Sequence, residues 1–351
     1  MEKTDLKNFT QEQLLDYLQR EFKLPAFHGR QIFNWLYRPD ITEFSQMTDL
    51  KKELRAKLSE TARISLHTIA KKERSEDGTV KYAFRLDDGE IIESVLIPEE
   101  DRNTLCVSSQ VGCAMGCDFC LTATLGFRRN LTPAEIVNQI CTVINDMDEE
   151  MCCSGDKKSG CINNLVFMGM GEPLANFDNL ITALKIIMDQ RGLDFSGRKV
   201  TVSTCGLVPK MRELGEKAPV NLAVSLHSVD DEVRSRLMPV NRKYPVEQLL
   251  QACRDFPLPK RRMIMFEYIM IEGVNDSEAD ARQLARQLKE IRCKINLLPY
   301  NESPDSDYKC PPRAKCEAFQ EILIKAGYTV FIRSSRGSDI SAACGQLAGR
   351  N

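Results

Sequence analysis

The sequence predicts an α/β protein built on a parallel sheet, doubly wound or curved into a barrel, with a small helical region ahead of it. Three observations predict this. Apolar residues recur at helical spacing through about the first 60 positions. Two Asp-Gly dipeptides then separate short strand-like runs. From about residue 104 onward, apolar strand-like runs alternate with amphipathic stretches, the pattern of strand–helix units in a parallel sheet.

The elements follow in order. Thr10 and Gln13 form a capping box before Leu14, Leu15, Leu18 and Phe22, which predicts a helix start. Ile32, Phe33, Trp35, Leu36 and Tyr37 predict a second helix, with these residues in the core rather than stacking on RNA. Asp77-Gly78 and Asp88-Gly89 punctuate runs such as KYAFRL and EIIESVLIP, so residues 65–98 predict a small antiparallel meander. The strands of the larger sheet are TLCVS (104–108), NLVFMG (164–169), KVTVST (199–204), NLAVSL (221–226), MIMFEYIMI (263–271), INLLPY (295–300) and YTVFIRS (328–334). Between them, Thr132-Pro-Ala-Glu135 joins a capping box to a proline at the first helical position. SEADARQLARQLKEI (277–291) and residues 314–326 predict further helices, and 151–161 an inserted loop. In such sheets ligands collect at the carboxyl ends of the strands.

The 351 residues are 42% hydrophobic and 28% charged, which suits a globular chain with a large core. No apolar run reaches the roughly 20 residues that span a bilayer. MEKTDLKNFTQ is too polar for a secretory signal, so a cytoplasmic protein is expected. The net charge of −2 does not favour nucleic acid, although Lys260-Arg261-Arg262 is a local basic patch. The 14 cysteines in a chain of this length point to free thiols in a reducing compartment. Cys141, Cys205, Cys253 and Cys293 lie in apolar patterns and are expected in the core.

Cys113-Ala-Met-Gly-Cys117-Asp-Phe-Cys120 follows the first strand of the larger sheet. Structural zinc closes four ligands, so zinc would need a fourth from Cys152, Cys153 or Cys161. A [4Fe–4S] cluster also takes four thiolates. Three leave one iron open, as required where that iron chelates the amino and carboxylate groups of S-adenosylmethionine (SAM). The C-x3-C-x2-C spacing with Phe119 before the last cysteine resembles the radical SAM signature. Met168-Gly-Met-Gly171-Glu172-Pro173, ending the second strand, resembles that superfamily's glycine/glutamate/proline motif. Glycine lets a ligand approach the backbone, and Glu172 suits an ammonium.

Taken with VSLH, INLLPYN and RGSDISAACGQLAG, these segments resemble the RlmN/Cfr family of radical SAM adenosine methyltransferases over nearly the whole chain. The resemblance implies a partial (β/α)6 barrel. It divides the chain into an N-terminal helical accessory domain (1–64), a β-hairpin segment (65–98), the radical SAM barrel (99–334) and a C-terminal segment (335–351). It makes Cys113, Cys117 and Cys120 the cluster ligands. Gly171, Glu172, Ser203, Ser225, Leu226, His227 and Asn301 become SAM contacts. Cys344 becomes the cysteine that is methylated, Cys106 the thiol that frees the product, and Glu93 the proton acceptor.

The implied substrates are an adenosine in 23S ribosomal RNA and one in tRNA on the 3′ side of the anticodon. A donor such as flavodoxin or ferredoxin supplies electrons, and the enzyme is expected to be a monomer. C2 of adenine is electron-poor and cannot attack a methyl donor, whereas a thiolate can. The implied route is therefore two-stage. One SAM methylates Cys344. A second is cleaved to a radical that takes hydrogen from the S-methyl group, and the carbon then adds to C2. The C2 proton passes to Glu93, and Cys106 attacks the sulfur of Cys344, leaving a disulfide to be reduced. The base must leave its stack, which costs least in loops. Two alternatives stand beside this: a Cfr-like enzyme acting at C8 with the same catalytic residues, and a non-catalytic zinc or iron–sulfur RNA-binding module. Residues 171–174 and AACGQLAG look more like the C2 branch, and the module gives Cys344 no purpose.

Overall fold

A ten-stranded sheet runs through the molecule, and the computed structural model describes it within residues 3–147, 161–302 and 306–348. From one edge the strands are Thr329–Ile332, Cys293–Pro299, Ile264–Met270, Asn221–Ser225, Val200–Thr204, Asn164–Phe167, Arg102–Cys106, Ile91–Glu99, Val80–Arg85 and Thr68–Arg74. The first seven are parallel. Val202, Leu222, Val224, Phe266, Ile295 and Leu297 are all fully buried, as expected of strands covered by crossover helices. The meander of residues 68–99 is not set apart from this sheet. Strand Arg102–Cys106 pairs parallel with Asn164–Phe167 on one side and antiparallel with Ile91–Glu99 on the other, so one continuous sheet results.

Local chemistry explains the element boundaries. Helix Gln11–Phe22 starts at a reciprocal box: Gln13 N–H donates to Thr10 Oγ1 (3.3 Å) and Thr10 N–H to Gln13 Oε1 (2.9 Å). Thr132 and Glu135 do the same for helix Pro133–Asp146 (3.2 and 2.8 Å). At the two hairpin turns Gly78 and Gly89 both sit at φ +86°, a conformation that favours glycine. Cys141, Cys205, Cys253 and Cys293 are buried. No described helix is long and apolar enough to cross a membrane.

One element was not expected. The cysteine segment does not follow strand Arg102–Cys106 directly. A short hairpin intervenes, Gln110–Gly112 against Phe127–Asn130, and pinches the base of the cysteine loop. Strands of three and four residues are too short for their alternation to stand out. At Gly112, φ is +70° and a Cβ would lie 1.8 Å from Gly126 O, so only glycine closes the loop here.

Candidate active site

Within the pinched loop, Cys113 N–H donates to Gly126 O (3.1 Å), Cys120 N–H to Cys117 O (3.1 Å) and Asp118 N–H to Leu237 O (3.0 Å). The three thiols lie close together and half-buried. Burial pushes Cys113 up to about 11, and burial together with Cys120 and Cys113 pushes Cys117 well up. Three thiolates so placed need positive charge among them, which a bound metal group supplies. Among the described residues no three His, Cys, Asp or Glu side chains converge on a single ion. Cys152 and Cys153 lie outside the described residues.

The expected SAM contacts stand around this loop. Gly171 has φ +95°, and a Cβ there would meet Gln110 Cβ at 2.5 Å. Gln110 Oε1 accepts the Glu172 N–H (2.9 Å). The Glu172 carboxylate is buried, accepting the N–H groups of Leu174 (3.0 Å) and Cys205 (2.8 Å). It therefore ties the second strand end to the third, and the side chains of Cys205 and Thr204 also hydrogen-bond to it. Ser203 lies buried on Val200–Thr204, and Ser225 ends its strand half-buried. The Leu226 side chain is in the core, with its N–H donating to Glu267 O (3.0 Å). Asn301 accepts from the Ser335 hydroxyl.

His227 has φ +60°. Its Nδ1 accepts the Ile269 N–H (3.0 Å), and burial, then Arg234, holds it neutral, down to about 3. Its ring meets Phe119 edge to face at 4.8 Å, so it braces the residue next to Cys120.

Arg234 is fully buried and donates to Leu226 O (3.0 Å), Asn241 Oδ1 (2.8 Å), Cys205 O (2.8 Å) and Ser225 O (3.1 Å). Arg234→Met strands these acceptors at a cost of about 1–3 kcal/mol each. The expected outcome is a lower denaturation midpoint together with weaker SAM binding, measured by chemical unfolding and equilibrium dialysis.

Residues of eight strands, among them Val95, Cys106, Val166, Thr201, Glu267 and Asn296, line one open cavity of about 720 Å³. The sheet is therefore curved, with its concave face forming a chamber. Cys344 is exposed to this chamber, and Cys106 lies in its wall. Both are free thiols. They are close enough that burial and then Cys344 push Cys106 well up, while desolvation, then Glu267 and Cys120, push Cys344 up to about 11.

The segment bearing Cys344 is pinned from several sides. Leu121 N–H donates to Gly345 O (2.7 Å), Thr122 Oγ1 to Leu347 O (2.7 Å) and Gly337 N–H to Asp77 Oδ2 (3.0 Å). Glu93 takes part in this pinning. It shares a strand face with Val95, Ile97 and Glu99, which line the chamber, but its Oε2 accepts Ala348 N–H (2.8 Å) and Lys81 Nζ stands 3.9 Å from Oε1. The expected proton acceptor is thus covered by the C-terminal segment.

Two chamber residues escaped the sequence. Glu267 is a lone charge in the apolar run MIMFEYIMI, and Asn296 a lone amide in INLLPY. Each was a signal, since a polar residue inside a buried strand needs a reason.

The chain matches two family models: the radical SAM superfamily over residues 107–285, and the ribosomal RNA large subunit methyltransferase N-terminal domain over 4–64. A dual-specificity RNA methyltransferase RlmN of Desulfotalea psychrophila is 57% identical over 349 residues, covering 99% of this chain and 95% of that protein. The protein of that name from Geobacter sulfurreducens is 54% identical, covering 99% of this chain and 92% of that one. The crystal structure of a radical SAM methyltransferase from Sphaerobacter thermophilus superposes with a TM-score of 0.91 at 40% identity, over 99% of this chain and 100% of that one.

Proposed function

We propose, from the premise that this chain belongs to the RlmN family of the radical SAM superfamily, that it methylates C2 of an adenosine in 23S ribosomal RNA and in tRNA. The observation that carries this is the position of Cys344, which shares one chamber with Cys106 and also borders, with Phe119 and Cys120 of the cysteine loop, a second, smaller pocket. A cluster reader without catalysis has no use for two further thiols there.

Cys113, Cys117 and Cys120 would hold a [4Fe–4S] cluster, with SAM seated by Gly171, Glu172, Ser203, the 225–227 turn and Asn301. When bound, that group supplies the reductive cleavage of SAM that removes hydrogen from an unactivated methyl group. The chain's own residues do the rest. Cys344, as a thiolate, attacks the methyl carbon of a first SAM, releasing S-adenosylhomocysteine, and so carries the carbon to be transferred. Phe119 and His227 hold the loop beside it. Glu93 receives the proton from C2 once the Ala348 contact gives way. Cys106 then forms a disulfide with Cys344 and frees the base, and a carrier such as flavodoxin or ferredoxin returns the electrons.

The chamber is deep enough to demand a base turned out of its stack. Arg102, Arg198, Lys199, Arg261, Arg262 and Arg333 also line it, and such a cationic rim suits the phosphates flanking a flipped base. The net charge of −2 hides this cluster. The test is turnover of a ribosomal RNA fragment with SAM and a reductant, followed by nucleoside mass spectrometry. Methylation at C2 is expected, and a methyl at C8 would overturn the assignment in favour of Cfr-like chemistry.

A further inference from the structure

We propose that Asn296 and Glu267 together read the exocyclic amine of the target base, an assignment that rests on the adenine specificity proposed above. The two are direct register partners on neighbouring parallel strands, and both face the chamber into which Cys344 projects. Asn296 Nδ2 donates to Glu267 Oε1 (2.9 Å) and also contacts Met265 Sδ (2.6 Å). Both amide hydrogens are thereby spent. Asn296 is only 4% exposed, and its Oδ1 is buried without a hydrogen-bond partner.

An unmet buried acceptor is destabilising in a folded protein, and a ligand that completes it is one physical reason for its presence. Beside it stands the Glu267 carboxylate, so at this point the wall presents two adjacent acceptors. Desolvation pushes Glu267 up to about 7, so its acceptor-only carboxylate form prevails above that pH. The matching partner is a group with two N–H donors on one atom. Adenine has one such group, the amine at C6. Guanine and hypoxanthine present a carbonyl at that position, which two acceptors would repel. Met168, Met265 and Ile269 line the same chamber and offer adaptable apolar walls to the faces of a purine.

The amine lies away from C2, so the pair selects and orients the base without touching the reacting carbon. Its members are positioning residues. The experiment uses two RNA fragments, one with adenosine at the target and one with purine riboside, which carries hydrogen in place of the amine. kcat/KM is measured for both with the cluster-loaded wild type and with Asn296→Ala and Glu267→Gln.

Wild type is expected to prefer adenosine by about 10- to 100-fold, the range for two good base-reading hydrogen bonds. Asn296→Ala is expected to reduce the preference to about threefold or less. Glu267→Gln, which keeps the side chain's shape but loses its charge, is expected to reduce it severalfold, since ionic acceptors bond about twice as strongly. The preference is a ratio within one enzyme, so a loss of folded protein cancels. A wild type indifferent to the amine overturns the assignment, as do variants that keep the full wild-type preference. The same result follows if the pair contacts SAM instead. Failure of wild type to methylate even the adenosine fragment overturns the function proposed in the preceding section, and this assignment with it.

Discussion

Cys344→Ala is expected to stop methyl transfer to RNA while leaving the fold intact. The side chain is exposed to the chamber, so removing one sulfur should change stability by no more than about 0.5 kcal/mol. The segment around it stays pinned through the backbone and side chains of Leu121, Thr122, Asp77 and Glu93. The chemistry has no substitute, because C2 of adenine is not nucleophilic and the neighbouring thiol, Cys106, is buried in the wall. Loss of a sole nucleophile commonly lowers the rate by about 10⁴-fold or more. The measurement is 2-methyladenosine in digested RNA by mass spectrometry, alongside thermal unfolding and the visible absorbance of the iron-loaded protein. Methylated adenosine at the wild-type rate would sink the role of Cys344.

Cys106→Ala is expected to convert the enzyme from a catalyst into a trap. Its thiol borders the same chamber as Cys344 and is perturbed by it. With the sulfur gone, the base has no route off Cys344. The expected product is a protein–RNA conjugate that survives denaturation, at no more than one RNA per chain. After nuclease digestion, mass spectrometry should find the adduct on Cys344. The substitution empties a small core position, at roughly 1 kcal/mol, so a folded variant is expected. Free methylated RNA beyond one equivalent would show that some other group resolves the adduct.

Local signals were read correctly where the chemistry is local. The boxes at Thr10 and Thr132, the Asp-Gly turns and the seven parallel strands each depend on residues within a few positions of one another. Where short pieces pair across a loop, the signal was too weak, as in the hairpin of Gln110–Gly112 with Phe127–Asn130. The cysteine motif was legible because three thiols at tight spacing are chemically unusual. Glu93 is proposed only by resemblance. What holds it, the Ala348 N–H, lies 255 residues away in sequence.

The sequence by itself determined the order of elements, the motif of Cys113, Cys117 and Cys120, and the family to which the chain belongs. Only the tertiary structure decided that the sheet curves into a chamber, that the hairpin segment is continuous with it, and that Cys106 and Cys344 share its wall. It alone decided that Glu172, Arg234 and His227 brace the site from within, and that Glu267 stands against Asn296. Propensity, capping and motif spacing act between near neighbours along the chain. A site assembled from residues 77 to 348 is set by strand register and by long-range hydrogen bonds, whose partners no local pattern names.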